Sequence, residues 1–122
     1  MVVLTIPGRL PGLNEYTSAC RTHPQAGAKM KKDGEKKVAE CIAQQLPGVH
    51  INAPVEITFT WTEKDRRRDP DNIAGFGTKV ILDALVEAQV LPDDSQRYVM
   101  ELHNYYSIDK DDPHIRVEIT EV

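Results

Sequence analysis

The residues best suited to chemistry lie in the middle of the 122-residue chain. Asp69 and Asp71 flank a proline, and a second acidic pair, Asp93 and Asp94, follows after an intervening segment that contains Lys79. Converging carboxylates can hold Mg²⁺ with open water positions, and such an ion neutralises a phosphodiester and lowers the pKa of a water. A nearby lysine would place positive charge against the transition state. The pattern therefore indicates metal-dependent phosphodiester hydrolysis.

The two acidic pairs bracket a predicted amphipathic helix. Apolar residues recur at helical spacing from Ile73 to about Leu91, which predicts a core-facing helix. A straight helix of that length would separate the pairs by up to roughly 30 Å. The pairs converge if the first pair lies along the helix or if residues 72–78 are not helical. Gly75 and Gly77 favour the second option, since each weakens a helix by about 1 kcal/mol relative to alanine.

Each of these elements also has an ordinary structural explanation. Asp71 or Asn72 is suited to cap the N-terminus of the helix. Residues 93–95 resemble a common turn, and Lys79 and Asp83 are spaced as an exposed i, i+4 ion pair. Neither an EF-hand loop nor a glycine-rich phosphate loop is present.

The remaining elements predict an α+β fold. Alternating residues from Val55 to Thr62 predict a strand with one buried face, which places Trp61 in the core. A first helix is predicted over Met30–Leu46, after a loop from Gly8 to Gly27. The other predicted strands are Val2–Ile6, Tyr98–Tyr105 and Ile115–Thr120. The order is β-α-β-α-β-β, and we expect residues 1–122 to form one domain, a mixed sheet covered by two helices.

Taken as a total, the net charge of −4 argues against a nucleic-acid partner. The excess is local, however, because residues 92–122 hold eight acidic and three basic residues. We expect the acidic excess that remains there once Asp93 and Asp94 are set aside to face away from DNA. Basic residues cluster elsewhere, and an anionic partner is therefore compatible with the sequence. The lysines are equally well explained as a solvated helix face. The clustered residues are Lys29, Lys31, Lys32, Lys36 and Lys37, then Arg66, Arg67 and Arg68.

The sequence shows no membrane-targeting feature. No run approaches the roughly 18 apolar residues of a membrane span. The N-terminal residues lack a basic region followed by an apolar stretch and a cleavage site, so no signal peptide is visible. We therefore expect a cytoplasmic protein.

The motifs of this chain resemble those of one family. Three motifs are similar to those of the RusA family of Holliday-junction resolvases, found largely in phages and prophages. They are the segment from Arg68 to Asn72, a lysine four residues before Asp83-Ala84-Leu85, and the pair Asp93-Asp94 ten residues after Asp83. The N-terminal strand, the loop from Pro11 to Tyr16, the basic helix and the C-terminal strands follow the same layout. The resemblance thus covers nearly the whole chain.

This resemblance implies a Mg²⁺-dependent endonuclease that acts in recombination and repair, with Mn²⁺ as a substitute ion. A homodimer would cut two symmetry-related strands of a four-way DNA junction. Lys79 corresponds to the family's essential lysine, and Asp93 is at most an auxiliary ligand. The implied metal ligands are Asp69, Asp71 and Asp94. The implied DNA-binding residues are Asn14, Lys29, Lys31, Lys32, Arg66, Arg67 and Arg68.

One departure from the family concerns spacing. Residues 73–78 separate Asn72 from Lys79, which is about one helical turn more than in some family members. A non-helical segment from Ile73 to Gly77 would restore the geometry. Two alternatives stay open: a non-catalytic nucleic-acid-binding phage accessory protein with the same fold, and a metal-dependent phosphohydrolase of small nucleotides.

Overall fold

A computed structural model describes all of residues 1–122 and confirms the α+β class and the four predicted strands. The chain forms one sheet and three helices, one helix more than predicted. No helix has both the length and the apolar character that crossing a membrane requires. In chain order the elements are β1 (Val2–Pro7), α1 (Leu13–Thr22), α2 (Ala26–Gln45), β2 (Val55–Glu63), α3 (Pro70–Glu87), β3 (Val99–Ile108) and β4 (His114–Glu121).

The additional helix, α1, lies inside the segment predicted to be a loop from Gly8 to Gly27. It has no buried residue, so burial of an apolar face in the core does not explain it. Contacts with α3 stabilise it instead. The backbone N–H of Asn14 donates to Asn72 Oδ1 over 2.8 Å, and the ring of Tyr16 stacks on Phe76 with centroids 4.5 Å apart. The loop prediction was wrong because these partners are remote in sequence.

The sheet has the strand order β1-β4-β2-β3. β2 and β3 run parallel while the other neighbours are antiparallel, so the sheet is mixed, as predicted. One row of side chains is buried under α2 and α3, and Trp61, 2% exposed, lies in that row as predicted. The opposite row is largely open to solvent. The helix α3 connects the parallel strands β2 and β3, so it runs back across the sheet. Its first turn therefore lies beside the C-terminal half of β3.

The helix α3 is continuous from Pro70 to Glu87, which corrects the hypothesis of a non-helical segment from Ile73 to Gly77. The two glycines serve close packing rather than helix interruption. A Cβ on Gly77 would lie 2.8 Å from Trp61 Cζ3, and one on Gly75 would lie 3.1 Å from Leu13 Cδ2. Burial of the apolar face of α3 outweighs the propensity cost of the glycines.

These two glycines give a matched test of packing. We expect Gly77→Ala to lower the free energy of unfolding by about 1–3 kcal/mol, because the indole of Trp61 is fully buried and cannot move away. Gly75→Ala should be neutral or stabilising by up to about 1 kcal/mol, since Leu13 is partly exposed and alanine favours the helix. Urea unfolding of both variants measures the difference. Equal effects would contradict this account of the packing.

Candidate functional site

The first turn of α3 presents two free carboxylates. Asp69 is the N-cap residue, Pro70 begins the helix and Asp71 lies in its first turn, so neither Asp71 nor Asn72 is the cap. An N-cap aspartate ordinarily accepts a backbone N–H, yet the side chain of Asp69 makes no capping hydrogen bond. Both carboxylates are exposed and take part in none of the ion pairs of the molecule. They remain available to a ligand.

Asp69 lines a cavity of about 310 Å³ between the start of α3 and the C-terminal half of β3. Arg66 lies in the same lining and is exposed. Tyr106 enters from β3, and its hydroxyl donates to the carbonyl of Pro70 over 3.4 Å. Burial, and then the negative charge of Asp71, raise the pKa of Tyr106. The cavity therefore combines a free carboxylate, a free guanidinium and a neutral phenol.

Sequence reasoning missed Tyr106. The signal that could have found it is the alternation of β3, which places Leu102, Asn104 and Tyr106 on one face of the strand. The parallel pairing of β2 with β3 sets Trp61 opposite Tyr106, on the helix-covered side. That pairing is a tertiary property and was not available from the local pattern.

Of the three consecutive arginines, Arg68 has a structural role in place of the predicted DNA contact. Its guanidinium binds both carboxylate oxygens of Glu63, at 2.7 and 2.8 Å, and donates to the carbonyl of Leu10 over 3.1 Å. Both side chains of this pair are almost buried, at 11% and 8% exposed. Arg67 approaches Asp65 at 3.5 Å and is exposed. Arg66 alone of the three has no ion-pair partner.

Lys79 lies at the centre of a second charged group. Its Nζ is 3.2 Å from Asp83, the i, i+4 pair that the spacing allowed, and 3.8 Å from Asp94. Lys31 of α2 contacts the other oxygen of Asp83 at 2.9 Å. Asp93 accepts the N–H of Asp94 over 2.9 Å, as in an ordinary turn. The predicted proximity of lysine and aspartate is present, but Glu35, 3.6 Å from Lys31, brings this group to two positive and three negative charges.

The environment of Asp83 makes acid stability testable. Burial alone would raise its pKa, but hydrogen bonds from Lys31 and Lys79 outweigh burial and leave the pKa lowered. The folded state therefore binds this proton less readily, so the stabilisation is full above the ordinary pKa of 3.8 and is lost as the pH falls below it. In urea unfolding, Asp83→Asn should be less stable than wild type at pH 6, and the gap should narrow at pH 3. A gap that is the same at both pH values would contradict this role.

The two acidic pairs do not converge within one protomer. Asp71 and Lys79 are eight residues apart on a continuous helix, a rise of about 12 Å. Asp69, Asp71 and Asp94 do not form a group of potential ligands within 4.8 Å of one another. The one such group is Glu56, Glu101 and His103, on the opposite, open face of the sheet. The predicted three-aspartate cluster is thus corrected to two separate parts.

A two-carboxylate site still fits the chemistry of Mg²⁺. This ion commonly keeps several waters and takes one or two carboxylates together with substrate phosphates. Asp69 and Asp71 would supply the two carboxylates, and Asp69 lines the cavity together with Arg66. Asp94 lies with Lys79 about two helical turns away, so its role as a ligand stays a prediction.

The other predicted DNA-binding residues differ in whether their side chains already have partners within the protein. Asn14 is exposed at the start of α1, next to Asn72, with which its backbone bonds. Lys29 pairs with Asp33 at 2.8 Å, and Lys31 is occupied by Asp83. Lys32 is exposed and has no ion-pair partner. Asn14, Lys32 and Arg66 are therefore the side chains that are free for an anionic ligand.

The acidic C-terminal segment is not remote from the cavity. The N–H of Asp109, just after β3, donates to the carbonyl of Glu63 over 2.9 Å, and Ile108 lines the cavity. Whether the acidic side chains of the segment face away from DNA stays a prediction.

Comparison with known proteins adds no identification. A search against models of protein families found no match, and no curated protein matches the chain significantly.

Proposed function

We propose that this protein is a Mg²⁺-dependent, structure-selective endonuclease that makes paired nicks in four-way DNA junctions as a homodimer, in recombination and repair. One observation carries the proposal: two unpaired carboxylates lie at the start of α3, and one of them, the N-cap Asp69 that does not cap, lines a cavity with an unpaired arginine. The resemblance of the motifs to the RusA family supplies the substrate class. Such an enzyme would act in the cytoplasm.

Asp69 and Asp71 would hold the ion, and substrate oxygens and water would complete its coordination. Bound there, Mg²⁺ or Mn²⁺ supplies charge neutralisation and a water of lowered pKa. Arg66 binds the adjacent phosphate, which positions the DNA without reading its sequence. Tyr106 is uncharged at neutral pH, as a phenol ordinarily is, and burial raises its pKa further, so it adds no repulsion to an approaching phosphate.

Lys79 takes a positioning role in place of the transition-state role that convergence would have given it. Asp71, Gly75 and Lys79 are exposed and follow one another at i, i+4 spacing, so they form one ridge of α3. The rise of about 12 Å between the two charged residues matches three to four steps of duplex along its axis. A DNA strand lying along this ridge would meet the metal at one end and Lys79 at the other.

Two other functions compete with this one. A non-catalytic junction-binding accessory protein is favoured by the separation of Asp94 from Asp69 and Asp71. A phosphohydrolase of small nucleotides uses the same ion but requires a nucleotide pocket, and the cavity of about 310 Å³ is at the lower end of ligand-site volumes.

A cleavage assay separates the three. Labelled four-way junction, linear duplex of the same sequence and nucleoside triphosphates are each incubated with the protein in Mg²⁺, Mn²⁺ or EDTA. We expect paired nicks in the junction only, and none in EDTA. Junction binding without nicks at every Mg²⁺ concentration would support the accessory protein, and release of phosphate from triphosphates would support the phosphohydrolase.

A further inference from the structure

The two edge strands of the sheet, β1 and β3, differ in how they are protected against pairing with another chain. At the β1 edge, the side-chain amide of Gln45 accepts the N–H of Thr5 over 2.8 Å and donates to its carbonyl over 2.7 Å, as a neighbouring strand would. The strand is also only six residues long and ends at Pro7. These features protect an edge against pairing with another chain.

The β3 edge has no such protection. This ten-residue strand pairs only with β2, so its outer row of N–H and C=O groups is unpaired. It contains no proline and no lysine. Five of the eight exposed large apolar residues of the chain lie on it, with exposed fractions between 41% and 61%. They are Met100, Leu102, Tyr105, Tyr106 and Ile108.

We infer that β3 pairs antiparallel with β3 of a second copy of this chain, forming a continuous eight-stranded sheet across a two-fold axis. The inference rests on the homodimer of the proposed function and names the surface that forms it. The sequence of the strand is complementary to itself when Asn104 lies opposite its own symmetry mate. Leu102 then faces the partner's Tyr106, and His103 faces the partner's Tyr105.

The charges of β3 also favour a second copy of this chain as the binding partner. In this register Glu101 faces the partner's Ser107, and the remaining pair, Met100 with the partner's Ile108, is apolar, so no like charges meet. Glu101 is the one acidic residue of the strand and His103 the one basic residue. A protomer with a net charge of −4 would repel its copy through most surfaces, and this nearly neutral strand is an exception.

The area is sufficient for a weak, specific dimer. The exposed parts of the five apolar side chains offer roughly 400–500 Å² per protomer, against about 800 Å² in a standard interface. The paired backbone edge and the flanking polar side chains supply further area. An interface at the low end of the range corresponds to dissociation in the micromolar range.

Sedimentation velocity without DNA or metal tests the interface over micromolar to hundred-micromolar concentrations. We expect a monomer–dimer equilibrium that Leu102→Lys and Tyr105→Lys each weaken by about tenfold or more, because one lysine would face the partner's Tyr106 and the other the partner's basic His103. Thr5→Lys, on the protected edge, is the matched control and should leave dimerisation unchanged. Circular dichroism and urea unfolding check that every variant is folded. A wild type that stays monomeric, or a dimer that tolerates both β3 variants, would overturn the inference.

Cysteine cross-linking tests the register. In a Cys20→Ser background, which removes the exposed native thiol, the double variant His103→Cys/Tyr105→Cys should form disulfide-linked dimers on mild oxidation. Each single variant should not, because neither position faces itself. Cross-linking by a single variant alone would refute the Asn104-centred register. Since this test needs no nuclease activity, its failure is distinct from failure of the cleavage assay.

Discussion

Replacing Asp71 by asparagine should abolish junction cleavage while strengthening junction binding. Outer-shell partners of metal ligands alone contribute about 10–100-fold, so loss of a direct ligand should reduce the cleavage rate at least about a hundredfold. Binding in EDTA should tighten by about two- to fivefold, because one negative charge at the start of α3, where the DNA phosphate is proposed to lie, is removed. Single-turnover cleavage in Mg²⁺ and fluorescence anisotropy in EDTA measure the two effects.

The opposite directions make this variant informative. A misfolded protein would lose both cleavage and binding, whereas a metal ligand loses one and gains the other. Glu121→Gln is the matched control, since it removes one exposed carboxylate at the far end of β4, about 25 Å from the cavity end of the sheet. It should change neither quantity. Cleavage by Asp71→Asn at the wild-type rate would place the metal elsewhere, and unchanged binding in EDTA would show that Asp71 does not face the DNA.

Local patterns were sufficient for most of the fold. The four strands and the two longer helices were predicted because burial of one face imposes a period on the sequence, as at Val55 to Thr62. The helix α1 was not predicted, because none of its residues is buried and because Asn72, which accepts a hydrogen bond from its second residue, is remote in sequence. Likewise Gly75 and Gly77 were interpreted through helix propensity, whereas the close approach of Leu13 and Trp61 explains them.

The candidate site was predictable in composition but not in geometry. The residue types indicated metal chemistry, and the contact of Lys79 with Asp94 was expected from their spacing. Whether Arg68 contacts DNA or Glu63 depends on how deeply the segment before α3 is buried. No local sequence pattern indicates that burial. The continuity of α3 decided that Asp69 and Asp71 lie apart from Asp94, and that depended on packing against Trp61.

Breaking the Arg68–Glu63 pair should destabilise the protein more than breaking any of its other ion pairs. Arg68→Ala would leave a carboxylate that is 8% exposed without its bidentate partner, and removal of one member of such a pair costs about 3–5 kcal/mol. The carbonyl of Leu10 would lose its donor as well. Because Arg68 joins the end of β2 to the segments before α1 and α3, the candidate cavity should lose its order too. Urea unfolding at pH 7 measures the loss.

Charge and volume can be separated from each other at this pair. Arg68→Lys keeps the positive charge but cannot bind both oxygens of Glu63, so it should recover only part of the stability. The double change Glu63→Leu/Arg68→Met removes both charges and should be more stable than Arg68→Ala, because no buried carboxylate is then left unpaired. Lys29→Ala, which breaks the exposed pair with Asp33, should give no measurable change in unfolding. If Arg68→Ala proved as mild as Lys29→Ala, the pair would be a solvated contact, and Arg68 would again be free to bind DNA with Arg66.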